Sequence, residues 1–407
     1  MRKALRPLLR PQLRPLLTAA SCSLAILATQ IATLPAAQAA DKIKVGLVTT
    51  LSGPAGAPGI DVRDGFNLAL RHLSNKLGNL PAEVIIGDDQ FNPESGKQIA
   101  DRFAKRERVD IMTGIIYSNI LLAAAPVAFE SKIPFISANA GPSQLAGKGC
   151  SPWFVSAAWQ NDANHEAAGQ HATAKGYKNA YFMAPNYPAG KDAAAGFKRF
   201  YKGKIVDEVY VKLGQLDFAV ELAQLRAAKP EALYVFFPGG MGINFVKQFV
   251  ASGLSKDITL LLPGFSADQD TIPAVGDAML GIFNTSQWSP DMDNAENQRF
   301  VPEFVKEFKR QPSIYASQGY DAALHIDNAV KAVKGKIEDR ESFMKALKSA
   351  KVKSTRGEYR LANNGFPIQN YYLRVIGKNA QGVLTNKSMG TIFTNHGDAY
   401  AKECPLK

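Results

Sequence analysis

Short apolar runs alternate with longer amphipathic stretches along the first part of this chain. The apolar runs predict strands, and they span residues 43–50, 83–88, 110–115 and 133–137. The stretches between them predict helices over residues 61–77, 94–105 and 119–131. Because each strand is continuously apolar, both of its faces should be buried. The pattern therefore predicts an α/β fold with a doubly wound parallel sheet.

A second series of similar size follows residues 153–156. Its predicted strands span residues 179–184, 205–211, 231–237 and 258–262, and its predicted helices span 161–175, 190–201, 218–228 and 241–252. Two long helical stretches, 295–310 and 314–334, precede strands near 355–361 and 371–376. Two similar βα series in a chain too long for one ordinary core predict two similar lobes.

The first 39 residues have the three-part pattern of a secretory signal peptide. Five basic residues and no acidic residue come first, the mostly apolar stretch 16–34 follows, and Ala37-Gln38-Ala39 has the small-x-small form of a cleavage site. The alternative is a membrane anchor, but polar residues interrupt the apolar stretch and a cleavage site follows it. We therefore expect residues 1–39 to be removed and the protein to be exported.

Charge and cysteine content bound the function further. The formal net charge is +12, of which five positive charges lie before residue 40, so +7 remains. No run of five basic residues survives in that part, which argues against a nucleic-acid site and leaves a mild preference for anionic ligands. In an oxidising compartment we expect Cys150 and Cys404 to form a disulfide, the alternative being two unpaired thiols.

A glycine-rich loop with Gly53, Gly56 and Gly59 joins the first strand to the first helix. Its spacing is not the G-x-G-x-x-G of dinucleotide sites, and no Gly-Lys-Ser/Thr follows, so nucleotide binding is disfavoured. Such a loop at the end of a strand instead predicts part of a ligand-binding cleft. The alternative is a tight strand–helix turn.

Motifs for catalysis and metal binding are incomplete. In a zinc-protease helix a second histidine would lie four residues after His165, but His171 lies six after it, on another face of the helix. The stretch around Ser266 begins like G-x-S-x-G without the closing glycine. We predict no catalytic residue, no metal site and no cofactor.

Several short motifs together resemble those of a known family. They are Lys44-Val45-Gly46-Leu47, Leu51-Ser52-Gly53-Pro54, Arg63-Asp64-Gly65, Ile136-Ser137, Ala184-Pro185-Asn186-Tyr187 and Gln318-Gly319-Tyr320-Asp321-Ala322. In this order and spacing the chain resembles the type I periplasmic substrate-binding proteins of ABC importers. The most similar branch binds branched-chain amino acids, amides and aromatic acids.

The resemblance implies two Rossmann-like lobes joined by a three-segment hinge, with a ligand held between them. The hinge segments would lie near residues 157–160, 287–290 and 362–369. Lobe 1 would comprise residues 41–158 with 289–364, and lobe 2 residues 159–288 with 365–407. A periplasmic monomer is implied, with the permease and ATPase subunits of an importer as partners.

The resemblance also places a ligand carboxylate at two loops of the first lobe. The matching residues are Ser118 and Asn119 in one loop, and Asn139 with the backbone of Ala140 and Gly141 in the other. Both loops precede predicted helices, whose N–H groups and dipoles favour an anion. Asn119 has the alternative role of a helix cap.

The family's amino-acid binders carry an acidic residue in the second lobe that pairs with the ligand ammonium. Gly264 occupies that position here, so an amino acid is disfavoured unless Asp268 or Asp270 reaches the ligand. Aromatic residues are the expected packing partners of a ligand ring: Tyr187, Phe265, Trp288 and Tyr320. The expected ligand is an aromatic carboxylate of the benzoate, hydroxybenzoate or phenylpropenoate type. The alternatives are an amino-acid or amide binder of the same fold, and a sensor that presents its ligand to a membrane receptor.

Overall fold

The computed structural model describes residues 41–406. The predicted signal peptide lies outside these residues. Within the described part of the chain, no helix is both long and apolar enough to cross a bilayer.

The first lobe is built on a six-stranded sheet. Its strands are β1 (Ile43–Thr49), β2 (Lys76–Leu77), β3 (Leu80–Asp88), β4 (Ile111–Gly114), β5 (Phe135–Ser137) and β6 (Phe154–Ser156), in the order β2-β3-β1-β4-β5-β6. All pairings are parallel except that of β2 with β3. The helices of this series are α1 (Ala57–His72), α2 (Pro93–Arg102) and α3 (Ser118–Glu130). The predicted doubly wound arrangement is confirmed.

The second lobe repeats this plan. Its parallel strands are β7 (Asn179–Pro185), β8 (Lys204–Val211), β9 (Ala232–Val235), β10 (Thr259–Pro263) and β11 (Phe283–Ser286). Its helices are α4 (Asp162–Ala174), α5 (Pro188–Phe200), α6 (Ala219–Ala228), α7 (Gly240–Ala251) and α8 (Ile272–Val275). Two α/β lobes with mixed, mainly parallel sheets are thus present.

The last third of the described chain contributes to both lobes. Helices α9 (Ala295–Phe308), α10 (Ile314–Ala332) and α11 (Arg340–Ser349) come first. Helix α10 packs so closely on α1 that a Cβ at Gly65 would lie 1.9 Å from the carbonyl oxygen of Ala316. Strands β12 (Arg360–Leu361), β13 (Pro367–Lys378) and β14 (Leu384–His396) then extend the second sheet with antiparallel pairings.

Some element boundaries differ from the sequence-based prediction. The first helix ends at His72 rather than residue 77, because Ser74 and Asn75 adopt positive φ angles and turn the chain into β2. The strand predicted near 355–361 is only Arg360–Leu361. Strands β2, β6, β11 and β14 were not predicted. The first three are only two to four residues long, and β14 has largely exposed positions that give no apolar run.

Three segments carry the chain between the sheets: from β6 to α4, from β11 to α9, and from α11 to β13. Arg356 ties the first of these to the third. Its Nη2 donates to the carbonyl oxygen of Ala157 at 2.6 Å and its Nε to Oε1 of Gln369 at 2.6 Å. Its charge is balanced by Asp321, 2.8 Å away, and both side chains are buried. The hinge therefore contains a buried, fully paired arginine.

A disulfide joins Cys150 to Cys404, with the two Cα atoms 5.8 Å apart. The predicted bridge is therefore present. Cys150 follows β5 in the first lobe, whereas Cys404 follows β14 of the second sheet. On the way, Tyr400 donates a hydrogen bond to Oδ2 of Asp162 on α4 at 2.9 Å. The C-terminal segment thus contacts the second lobe and is covalently fixed to the first.

Candidate functional site

A cavity between the lobes, partly open to solvent, has about 340 Å³ of space that protein atoms do not fill. Most of its residues directly follow the carboxyl ends of parallel strands, which is where open α/β sheets bind ligands. The cavity is lined by Ile116, Tyr117, Ser118, Asn139, Trp159, Asn161, His165, Tyr187, Ala189, Phe236, Pro238, Phe265 and Tyr315.

The first lobe supplies a polar wall centred on the start of α3. Ser118 is the first residue of this helix, and the N–H groups of Ser118 and Asn119 have no acceptor within the helix, whereas that of Ile120 donates to the carbonyl oxygen of Tyr117. The amide Nδ2 of Asn161 donates to the Ser118 Oγ at 3.0 Å. Because Oγ acts as an acceptor there, the Ser118 hydroxyl proton is available to a ligand.

Asn139 adds a polar group from the loop after β5. Its Nδ2 donates to the carbonyl oxygen of Ile116 at 2.7 Å, which fixes the orientation of the amide. Its Oδ1 is buried and has no partner among residues 41–406. The side chain therefore offers an acceptor, and one further N–H, at the cavity wall.

The second lobe and the first hinge segment supply an aromatic wall. The rings of Trp159 and Phe265 meet edge to face with centroids 4.3 Å apart. The ring centroid of Phe236 lies 5.1 Å from that of His165, and 6.3 Å from that of Tyr187, with which Phe236 stacks. Such offset and edge-to-face arrangements are the favourable geometries for aromatic pairs. The wall is suited to packing against the faces and edges of another ring.

The residues that line the cavity include no Lys, Arg, Asp or Glu. The titratable group His165 is neutral, because burial lowers the pKa of its imidazole to about 3. An anionic group in the cavity would thus be held by neutral donors and by the N-terminal ends of α3 and α5. A ligand ammonium would have no opposite charge on the cavity wall.

Four of the nine predicted site residues line the cavity: Ser118, Asn139, Tyr187 and Phe265. Asn119 lies within α3 beside Ser118, and its side chain caps no helix end, because Tyr117 occupies the cap position. The structure does not place Asn119 on the cavity wall.

The backbone donors predicted at Ala140 and Gly141 are used within the protein. The N–H of Ala140 donates to the carbonyl oxygen of Ile115 at 3.2 Å. The N–H of Gly141 donates to Oδ1 of Asn161 at 3.0 Å. These two residues therefore position Asn161 and the loop, and their N–H groups are not available to a ligand.

Trp288 and Tyr320 lie in the core instead of the cavity, which corrects the sequence-based assignment. The indole Nε1 of Trp288 donates to Oδ1 of Asn297 at 2.8 Å, and its ring contacts Phe300. Tyr320 also packs on Phe300, and its hydroxyl donates to Glu296 at 2.5 Å. Both side chains are fully buried.

Sequence reasoning missed several cavity residues, notably Trp159, Asn161, His165 and Phe236. Each comes shortly after a strand: the first three follow β6 and the fourth follows β9. The signal was weak because β6 has only three residues. His165 was considered only as part of an incomplete zinc-protease motif, and its position after a buried strand would have been the better criterion.

The second-lobe acidic residues do not reach the cavity wall. At Gly264 a Cβ would lie 3.0 Å from Nη2 of Arg374, so a larger side chain has little room. Asp268 forms a buried ion pair with Arg374 at 2.8 Å. The carboxylate oxygens of Asp270 are buried without a partner in the described chain, and burial raises the pKa of this group.

A second hollow of about 450 Å³ shares Tyr117 and Pro238 with the cavity. Its lining is mainly apolar and includes Pro54 and Ala55 of the glycine-rich loop. The loop thus borders the space between the lobes. It is also a tight turn, because a Cβ at Gly59 would lie 1.8 Å from the carbonyl oxygen of Thr50.

The sequence profile of periplasmic binding proteins matches residues 42–381. The chain belongs to this family. A solute-binding protein of an ABC transporter from R. palustris, solved in complex with benzoate, is 30% identical to it with a TM-score of 0.85, covering 90% of this chain and 100% of the other. One from Rhodopseudomonas palustris BisB5, solved with 3,4-dihydroxybenzoic acid, is 32% identical with a TM-score of 0.84, covering 88% and 99%.

A curated relative carries a different name. Leu/Ile/Val-binding protein homolog 6 of Brucella melitensis is 28% identical over 368 residues, covering 88% of this chain and 93% of its own length. The binding protein is thus a type I periplasmic solute-binding protein of the ABC transporter class. Proteins of this class bind small molecules and work with a membrane permease and its ATPase. They are components of transporters. Among residues 41–406 no group of three or more His, Cys, Asp or Glu side chains could hold a metal ion.

Proposed function

We propose that the protein captures an aromatic carboxylate between its lobes and delivers it to an inner-membrane permease. The observation that carries this proposal is the composition of the cavity: an aromatic wall faces a polar wall of neutral donors, with no acidic side chain between them. The two R. palustris proteins, with benzoate and 3,4-dihydroxybenzoic acid, support it.

The carboxylate is assigned to the first lobe. Ser118 would donate its hydroxyl proton, and the free N–H groups in the first turn of α3 would add charge–dipole attraction. The second N–H of the Asn139 amide, which is not the one that donates to Ile116, is a further donor on the same wall. Neutral donors suffice for an anion here, because hydrogen bonds to a charged group are worth more than neutral ones.

The ring is assigned to the second lobe and the first hinge segment. Trp159 and Phe265 form one corner, and Tyr187 with Phe236 forms another. A ligand held by both walls stabilises the closed arrangement of the lobes relative to an open one. The permease would recognise that closed arrangement. No step requires a covalent change in the ligand, and we propose no enzymatic activity.

Isothermal titration calorimetry with benzoate, 4-hydroxybenzoate, 3,4-dihydroxybenzoate and leucine tests the ligand class. We expect at least one aromatic acid to bind with micromolar or tighter affinity, and leucine to bind much more weakly. Tight leucine binding without binding of any aromatic acid would overturn the proposal.

A branched-chain amino-acid binder is the second candidate, because the Brucella relatives carry that name. It would need a partner for the ligand ammonium. The unpaired Asp270 carboxylate is the available acid in this region, but it does not line the cavity. If leucine binds, Asp270→Asn should abolish that binding, since an unpaired buried ammonium is costly.

A further inference from the structure

His165 is the one titratable side chain on the cavity wall other than tyrosines, and the carboxylate assignment does not use it. It lies on α4, in the second lobe. Its ring centroid is 5.1 Å from that of Phe236 and 5.6 Å from that of Phe265. The side chain is 1% exposed. It is thus a buried polar group within the aromatic wall.

One nitrogen of this imidazole has a partner. Nδ1 of His165 lies 2.5 Å from the hydroxyl oxygen of Tyr234, a fully buried residue of β9. Within residues 41–406, Nε2 of His165 has no hydrogen-bond partner, and the Tyr234 hydroxyl has none besides Nδ1. The pair therefore has one internal hydrogen bond and one free ring nitrogen at the cavity.

The direction of that bond follows from counting donors. If Nδ1–H donated to Tyr234, the tyrosine proton would be buried without an acceptor, at a cost comparable to a lost hydrogen bond. If Tyr234 donates to Nδ1, the buried tyrosine proton has an acceptor, and the one group left without a protein partner is the ring N–H at the cavity. The second arrangement places the ring proton on Nε2. Because burial keeps the ring neutral, with its pKa lowered to about 3, one N–H remains.

We propose that Tyr234 holds His165 as the Nε2–H tautomer and that this N–H donates to an oxygen substituent on the ring of the bound aromatic acid. The proposal rests on the proposed function. The ring substituent is the fitting acceptor because His165 belongs to the aromatic wall, whereas the carboxylate donors belong to the opposite lobe. The preferred ligand class is thus an aromatic carboxylate with a hydroxyl or ether oxygen on its ring.

Calorimetry of His165→Phe tests the contact. Phenylalanine keeps an aromatic ring at the site and removes the donor. The test ligand is the one that wild type binds most tightly among 3-hydroxybenzoate, 4-hydroxybenzoate and 3,4-dihydroxybenzoate. The variant should bind this ligand about tenfold more weakly than wild type, the size expected for the loss of one hydrogen bond. Benzoate affinity should change less than about threefold. Equal losses for benzoate and its hydroxylated analogue would overturn the proposal, and failure of every aromatic acid to bind wild type would overturn the proposed function itself.

The tautomer is tested without any ligand. Nitrogen-15 NMR of the labelled protein should show the His165 proton on Nε2, and Tyr234→Phe should shift the population toward a mixture of tautomers. A proton on Nδ1 in wild type would contradict the proposal. His171→Phe is the matched control, because His171 lies on the same helix but packs on Phe283 away from the cavity. It should leave the ratio of hydroxylated to unsubstituted ligand affinities unchanged.

Discussion

The hydroxyl of Ser143 donates to Oδ1 of Asp192 at 2.6 Å, and these two residues belong to different lobes. The N–H of Ser143 also donates to Asp192, at 3.1 Å. Asn161, from the hinge segment, donates to the same carboxylate at 2.9 Å and to Ser118 at 3.0 Å. One aspartate thus connects the lobe interface to the cavity wall. Burial raises the pKa of Asp192, against the effect of these hydrogen bonds.

Asp192→Ala should therefore weaken closure of the lobes. We expect about tenfold weaker binding of every aromatic ligand, because the lost contacts stabilise the closed arrangement only. Small-angle scattering should show a larger radius of gyration at a given ligand concentration. Asp257→Ala, at an exposed position in the second lobe, is the control and should behave as wild type. A compact Asp192→Ala protein with unchanged affinity would contradict this role.

Substitutions should separate cavity residues from core residues. Phe265→Ala should weaken aromatic-acid binding by about 10- to 100-fold, since it removes one corner of the aromatic wall. Trp288→Phe should leave affinity unchanged and lower the free energy of unfolding by about 1–3 kcal/mol, because Asn297 loses its indole donor. Calorimetry and urea unfolding of both variants provide the measurements. Weaker ligand binding by Trp288→Phe without loss of stability would show that Trp288 contacts the ligand.

The buried Arg356 of the hinge should contribute to the free energy of unfolding. Arg356→Met leaves Asp321 without its partner in a fully buried position. We expect a loss of about 3–5 kcal/mol in the free energy of unfolding, as for other broken buried pairs. Adding Asp321→Asn should recover part of this loss, because the unpaired charge is removed. Equal stabilities of the single and double variants would show that the charge pair is not the cause.

Removing the Cys150–Cys404 bridge should lower stability by about 2–5 kcal/mol. The bond closes a loop with a sequence separation of 254 residues and fixes the C-terminal segment to the first lobe. Thermal unfolding of Cys150→Ser/Cys404→Ser, compared with wild type with and without reductant, measures the effect. Reductant should destabilise wild type and leave the double variant unchanged.

Stability should also depend on pH through His165. Its folded-state pKa is lowered to about 3 by burial, so only the unfolded chain takes up a proton below pH 6.5. This group therefore contributes stability above pH 6.5 that is lost as the pH falls toward 3, at about 1.4 kcal/mol per pH unit. Between pH 7 and 4.5, His165→Phe should gain about 2–3 kcal/mol relative to wild type in urea unfolding. A pH-independent difference would mean that the pKa of His165 is the same in the folded and unfolded protein.

Residue patterns were sufficient for the overall fold because the main parallel strands are buried on both faces and so give clear apolar runs. Ser118 and Asn139 were predicted because they match the family's carboxylate-binding loops, and Tyr187 and Phe265 because aromatic residues are the expected partners of a ligand ring. The resemblance to a known family thus supplied the candidate site, the hinge and the expectation of an aromatic ligand. Short strands such as β6 could not be seen this way, and the cavity residues that follow them were missed for that reason.

Side-chain direction could not be predicted from position alone. Trp288 follows β11, as a site residue would, yet its indole donates to Asn297 and turns into the core. Ala140 and Gly141 lie in a predicted anion-binding loop, but their N–H groups already have acceptors in Ile115 and Asn161. These outcomes depend on contacts between residues distant in sequence, which an apolar pattern does not encode.

The sequence distance between the two bridged cysteines has a consequence for biogenesis. Export delivers Cys150 to the oxidising compartment 254 residues ahead of Cys404. Between residues 41 and 406 there is no other cysteine, so the first thiol has no partner in this part of the chain during that interval. The disulfide can form only after the strands of the second sheet have been translocated. A reactive thiol on a secreted chain therefore marks a molecule whose assembly is unfinished.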